Sequence, residues 1–133
     1  MSEVVLDASA LVAYLNDEPG AEAVEEALAR AARIGAANWA EVLSKAAENG
    51  VDPEAFIREI KARGILDQTL EVVPLLPEDG PVIARLRPLT KAAGLSLGDR
   101  ACLALALRLS LPVLTTDREW QRLDLGVEVR TAR

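Results

Sequence analysis

The 133-residue chain is half apolar and sets 15 Lys and Arg against 21 Asp and Glu, a formal net charge of −6; the length suits one compact domain over residues 1–133, and the sign excludes a broad cationic surface for nucleic acid. It contains no histidine, which excludes Ser-His and Cys-His nucleophile pairs and leaves catalysis to carboxylates, lysines, tyrosine or a bound metal. A single cysteine, Cys102, excludes an intramolecular disulfide and a multi-cysteine zinc site and suits a reducing cytoplasm, and no basic leader or membrane-spanning apolar run is present.

In chain order, "EVVLDA" opens with a short apolar strand, and "SALVAYL" follows at once with Leu11, Tyr14 and Leu15 at helical spacing. "PGAEAVEEALARAA" sets Val24, Ala27, Leu28 and Ala31 on one helical face, with Pro19 in its first turn. A brief strand "RIGAA" leads into the helix "NWAEVLSKAAENG", whose apolar stripe of Trp39, Val42, Leu43 and Ala46 ends at Asn49 and Gly50. "DPEAFIREIKARG" is a further helix, capped by Asp52, with Pro53 at its first position and Gly64 past its end. The strand "LEVVPLL" meets Pro74, which suits a sheet edge or a strand end. From Pro81 to Ala93 a helical run places Val82, Leu86, Leu89 and Ala93 together, with Pro88 expected to kink it. "GDRACLALALRLS", "PVLTT", "DREWQRL" and "VEVR" then give helix, strand, short helix and strand. This alternation predicts an α/β fold: a central, mainly parallel sheet of four to five strands covered by helices on both faces.

In such a sheet every strand ends, and its following helix begins, at one carboxyl edge, where ligands bind. Asp7 ends the first strand, Asp117 ends "PVLTT", Glu41 falls in the first turn after the second strand, and Asp99 opens the helix returning to "PVLTT". Four carboxylates from distant segments are thus expected on one rim. Each also has a structural reading, because Asn38 to Glu41, Ser96 to Asp99 and Thr116 to Glu119 resemble capping boxes, and Asp7 or Asp117 can cap the next helix. Caps need no common location, however, and four like charges brought together repel unless a cation joins them. Hard Mg²⁺ or Mn²⁺ matches carboxylate and water oxygens, and such ions activate water and stabilise phosphoryl oxygens, so phosphodiester hydrolysis fits this inventory.

"LDASALVAYL", "NWAEVL", "LSLGDRACLALAL" and "VLTTDREW", in that order, resemble the four motif blocks of the PIN domain, and the small size resembles the VapC-type toxin ribonucleases. The resemblance implies a three-layer α/β/α PIN-like fold, Mg²⁺- or Mn²⁺-dependent cleavage of single-stranded RNA, homodimerisation, and inhibition by a cognate antitoxin of a type II toxin-antitoxin pair. Carried over by position, Asp7, Glu41, Asp99 and Asp117 match the family's acidic quartet, with Asp7 and Asp99 as principal metal ligands and Glu41 and Asp117 acting through water or on a second ion. Ser9 matches the hydroxyl of the first block and Thr115 that of the last, as supports for Asp7 and Asp117; a local turn or cap explains both hydroxyls equally well.

Arg100 and Arg118 each follow a motif acid and face two readings, phosphate contact or a solvated ion pair, with the second favoured. Trp39, Trp120 and Cys102 read as core, and the all-round apolar "ACLALAL" suggests cover by the sheet on one side and by a second subunit or antitoxin on the other. The alternatives to the nuclease are a noncatalytic PIN-like RNA- or protein-binding module and a phosphoacceptor receiver or phosphatase. Against the last, "DAS" lacks a second nearby acid and no lysine follows "PVLTT" or "VEVR".

Overall fold

A computed structural model describes residues 3–66 and 68–133. Its sheet holds five parallel strands in the order β3-β2-β1-β4-β5: β1 (Val4–Leu6), β2 (Ala32–Gly35), β3 (Leu70–Val73), β4 (Val113–Thr115) and β5 (Val129–Thr131). Between the first four strands each connection carries two helices: α1 (Ala8–Leu15) and α2 (Ala21–Ala29), α3 (Ala36–Glu48) and α4 (Pro53–Ala62), α5 (Asp79–Thr90) and α6 (Leu97–Leu109). A 3₁₀ turn over Arg118–Arg122 links β4 to β5. No helix among the described residues is long and apolar enough to cross a membrane.

The two-residue period of the strands divides the core. On β1, Val4 and Leu6 pack with Leu11, Val24, Leu28, Val42 and Ile60 of α1 to α4, whereas Val5 points the other way, toward Leu86 of α5 and Cys102, Leu103 and Leu105 of α6. All three residues of β1 are buried, as expected of a central strand covered on both faces. The six residues Ala101 to Ala106 of α6 are buried in succession. Their cover comes from within the chain: α6 packs on β1, β2 and β4 and also against α3 and α5, so no second subunit or antitoxin is needed to bury "ACLALAL".

Local differences from the expected elements have simple causes. Gly35 adopts an extended backbone and caps α3 without a side chain, so the helix begins two residues before Asn38. Asn38 therefore lies inside α3 and caps nothing, and Glu41 falls in the second turn. At α2, Gly20 is the N-cap and Pro19 lies outside the helix; Ala31 has φ 73°, a left-handed conformation that excludes it from the helical face. Pro88 sits in the last turn of α5, which continues to Thr90. Asp52 caps α4 with Pro53 at its start, as expected.

Two side chains, Asp79 and Arg108, tie the α5 end of the molecule together. Asp79 is buried and accepts bonds from Arg108 Nε at 3.0 Å, Arg108 Nη2 at 3.2 Å and the Leu76 amide at 2.9 Å. Arg108 also donates to the Pro74 carbonyl, joining the loop after β3 to α6.

Candidate active site

The chain runs from β1 outward to β2 and β3 and then returns to place β4 on the other side of β1. The carboxyl ends of β1 and β4 consequently flank a point where the direction of winding reverses, the crevice in which open α/β sheets bind ligands.

Asp7 lies at that point, immediately after β1, as the N-cap of α1. Its Oδ1 accepts from Ser9 Oγ at 2.8 Å and the Ala10 amide at 2.9 Å, and its Oδ2 accepts from Thr115 Oγ1 at 2.5 Å. Ser9 Oγ in turn accepts from the Thr116 amide, and Thr115 Oγ1 from the Asp117 amide. The two hydroxyls therefore join the ends of β1 and β4 through one carboxylate. Asp7 is 4% exposed; burial pushes its pKa up to about 6 and the Asp99 charge adds to the rise, against the opposing hydrogen bonds from Thr115, Ala10 and Ser9.

Glu41 reaches the same region from α3. Its Oε1 accepts from Asn38 Nδ2 at 3.2 Å, and that amide also donates to the Gly98 carbonyl at 2.9 Å, across to the first turn of α6. Partial burial and then the Asp99 charge raise its pKa above the usual value. Gly98 makes this approach possible, since a Cβ there would stand 2.4 Å from Glu41 Oε1. Asn38 is buried, with its Oδ1 unpartnered.

Asp99 completes a capping box on α6: its Oδ2 accepts from the Ser96 amide at 2.9 Å while its own amide donates to Ser96 Oγ at 3.1 Å. Its charge acts on both Asp7 and Glu41. Beneath them the buried Cys102 thiol is raised well above its ordinary pKa by desolvation and then by Asp7, Asp99 and Glu41 together. Those three acids thus form one electrostatic group drawn from β1, α3 and α6.

Asp117 stands apart. It is exposed, caps the 3₁₀ turn through Oδ1 and the Glu119 amide, and neighbours Asp7 through the Thr115 hydroxyl. Among the described residues no three His, Cys, Asp or Glu side chains form a set that could hold a metal ion. The carboxylates are instead directed at protein donors: backbone amides and hydroxyls for Asp7, Asp99 and Asp117, and the Asn38 side-chain amide for Glu41. Among the described residues, Glu41 Oε2, Asp99 Oδ1 and Asp117 Oδ2 nonetheless accept from no protein donor, so hard oxygen ligands remain for Mg²⁺ or Mn²⁺.

Arg100 Nη1 donates to the Ile83 carbonyl, so this side chain serves the α5–α6 contact. Trp120 and Cys102 are buried, and Trp39 packs partly buried against the core. Asn38 and Gly98 escaped the sequence reading as site residues; the three-residue step from Asn38 to Glu41 along one helical face was the available signal.

A PIN domain family model matches residues 4–125, and the chain belongs to the PIN domain family. Three solved structures share its fold. The toxin-antitoxin complex from Klebsiella pneumoniae superposes with TM-score 0.74 at 21% identity, covering 98% of each chain. The DNA-bound VapBC of Salmonella typhimurium gives 0.72 at 18%, covering 100% of each, and FitAcB of Neisseria gonorrhoeae gives 0.68 at 19%, covering 97% of each. No curated protein matches the sequence.

Proposed function

We propose that residues 1–133 act as one PIN nuclease unit, an Mg²⁺- or Mn²⁺-dependent endoribonuclease of single-stranded RNA and the toxin of a type II toxin-antitoxin pair. It works in the cytoplasm as a homodimer held in check by a cognate antitoxin. The observation that carries the enzymatic part is the grouping of Asp7, Glu41 and Asp99, acids 34 and 58 positions apart in sequence, within one another's electrostatic reach beside the β1–β4 reversal. The toxin role draws on the fold shared with the Klebsiella toxin-antitoxin complex, VapBC and FitAcB.

In this reading Asp7 and Asp99 hold the divalent ion, with Glu41 and Asp117 contributing directly or through water. When bound, the ion supplies a Lewis acid for a phosphoryl oxygen and lowers the pKa of water into nucleophilic range. Ser9 and Thr115 fix both oxygens of Asp7, and Asn38 holds Glu41 over Gly98. With no histidine in the chain, the residues' contribution is to place charge and orient water.

The test is incubation with single-stranded RNA and Mg²⁺ or Mn²⁺. The expected result is internal cleavage that a chelator stops and that Asp99→Asn abolishes. Asparagine at this third helical position keeps an amide oxygen that can accept from the Ser96 amide, and Ser96 stays the N-cap, so a melting curve matching the parent's separates lost chemistry from lost fold. Undiminished cutting by the variant overturns the role given to Asp99.

A further inference from the structure

The negative charge of the chain is unevenly spread. Residues 80–98, from the first turn of α5 to that of α6, hold Arg85, Arg87 and Lys91 and no acid, the longest acid-free run in the sequence. All three cations are exposed, and none is in ion-pair contact with a carboxylate among the described residues. We propose that these side chains form a strip that holds the phosphate backbone of the substrate RNA strand and leads it to Asp99; the assignment rests on the endoribonuclease reading.

Other cations have acids for neighbours. On α4, Arg58 and Lys61 are interleaved with Glu54 and Glu59, Arg30 follows Glu22, Glu25 and Glu26 of α2, and Arg118 lies between Asp117 and Glu119. Arg33, Arg108, Arg122 and Arg130 each face a carboxylate within 4.0 Å. The acid within α5, Asp79, is buried and held by Arg108, so the exposed face of this helix carries cations alone. Glu78, its N-cap, stands at the far end, about 10 Å from Arg85 along the axis.

Topology aims the strip at the carboxylates. α5 and α6 run antiparallel, since Asp79 at the start of α5 meets Arg108 in the last turn of α6. A tight turn, in which the Thr90 and Lys91 carbonyls accept from the Leu95 and Gly94 amides, joins the end of α5 to the start of α6. Arg87 and Lys91 therefore stand at the end of the pair where Asp99 opens α6. Their spacing of four residues sets them on one flank of the helix about 6 Å apart, and Arg85 covers the other flank. Arg100, next to Asp99, reaches back to the Ile83 carbonyl of α5, so positive charge continues from the strip to the neighbour of that acid.

A chain of net charge −6 repels a polyanion at long range. A local strip without acids offsets this where the strand must arrive. Arginine presents a planar, bidentate donor set to phosphate and lysine a compact charge, and such backbone contacts position a strand without reading its bases.

The experiment measures binding of a fluorescent single-stranded oligoribonucleotide by anisotropy in chelator, where cutting is absent, over a range of salt. It compares the parent with Arg85→Gln, Arg87→Gln, Lys91→Gln and the triple variant, with Arg87→Lys and Lys61→Gln as controls. Glutamine, arginine and lysine have similar helix propensities, so α5 is kept, and melting curves check it; if the triple variant melts early, the single variants decide. Each single loss of charge is expected to weaken binding about five-fold at 0.1 M salt and to lower the log–log salt slope by about 0.7, the share of one single-strand phosphate contact; the triple variant should lose about 100-fold and about 2 in slope. Arg87→Lys keeps the charge and should keep the slope. Lys61 is exposed in the last turn of α4, which leads to the amino end of β3 at the opposite edge of the sheet, and its variant should match the parent.

Parent-like affinity and slope in the charge-removing α5 variants overturn the strip, as do equal losses with Lys61→Gln, absence of binding by the parent, or tighter binding of a DNA duplex than of the single strand. Cleavage with Mg²⁺ is read separately. Metal-dependent cutting alongside unchanged binding removes the strip and leaves the nuclease; weakened binding in the variants of a parent that never cuts removes the nuclease and leaves the strip.

Discussion

Asp7 carries opposing demands. It is buried at the end of a central strand, where a charge is costly, yet three donors address its two oxygens. With the folded pKa at about 6 against an ordinary 3.8, the folded chain binds the extra proton between those values. Stability from this group is therefore fully present below the unfolded pKa and is lost as pH rises through about 6, a change on the order of 3 kcal/mol. Melting in chelator should consequently show a contribution from Asp7 that favours pH 5 over pH 7.5. Asp7→Asn should flatten that part of the profile; an unchanged pH dependence in the variant would show that Asp7 titrates normally.

Gly98 offers a second test, in which activity and stability move apart. The Cβ of Gly98→Ala would collide with Glu41 Oε1 and crowd its Cδ at 3.0 Å, so Glu41 must leave the position Asn38 gives it. Cleavage is expected to fall about 10- to 100-fold, the usual cost of disturbing a group that orients a ligand. Alanine favours a helix over glycine by up to about 1 kcal/mol, so the melting temperature should hold or rise. Full activity in this variant would remove Glu41's placement from the mechanism. Asp7 and Asp99 stood out in the sequence as acids at element ends; Gly98 and Asn38 did not, because their roles arise from a contact across 60 residues.

Among the elements, α6 was the most legible and also misled. Ser96 and Asp99 stand at the three-residue spacing of a capping box, and both bonds form. Ser96→Ala should destabilise the fold by about 1 kcal/mol, measured by denaturant melting, while leaving the Asp99 carboxylate present. The same helix's all-round apolarity suggests cover partly by another molecule, since composition shows that a face is covered but not by what. Packing of α3 and α5 around it supplies the answer. The start of α3 was illegible for a related reason: Gly35 caps it with backbone alone, leaving no side-chain signal before Asn38.

The α5–α6 pair depends on Arg108 and Asp79. Burial raises the Asp79 pKa, but the Leu76 amide and Arg108 outweigh it and hold the carboxyl below its usual value. That stabilisation is present above the unfolded pKa and lost as pH falls through the folded one, opposite in sign to Asp7. Arg108→Ala leaves a buried carboxylate short of its cation and should cost about 2 kcal/mol, discounted from fully buried pairs because Arg108 is a quarter exposed. A melting curve equal to the parent's would show that Leu76 alone suffices for Asp79.

For the whole molecule, strand and helix alternation announced the layered sheet, but the order β3-β2-β1-β4-β5 did not follow from it. Neighbouring strands are chosen by side-chain packing on both faces, as in the split of Val4 and Leu6 from Val5. That order sets the β1 and β4 ends side by side and so brings Thr115 to Asp7 across 108 residues. On the proposed metal-dependent reading, this arrangement would tie global stability to cation binding, because any ion that binds only the folded chain stabilises it by mass action. At a free-ion concentration about a hundred times the dissociation constant, Mn²⁺ should add about 2.7 kcal/mol to unfolding. The gain should shrink below pH 6, where protons compete for Asp7. It should also be much reduced in Asp99→Asn, whose folded state loses one charged ligand while keeping its cap. A calorimetric scan with and without Mn²⁺ decides the matter: an equal shift in parent and variant would mean that the ion binds elsewhere, and that Asp99 serves α6 as a cap alone.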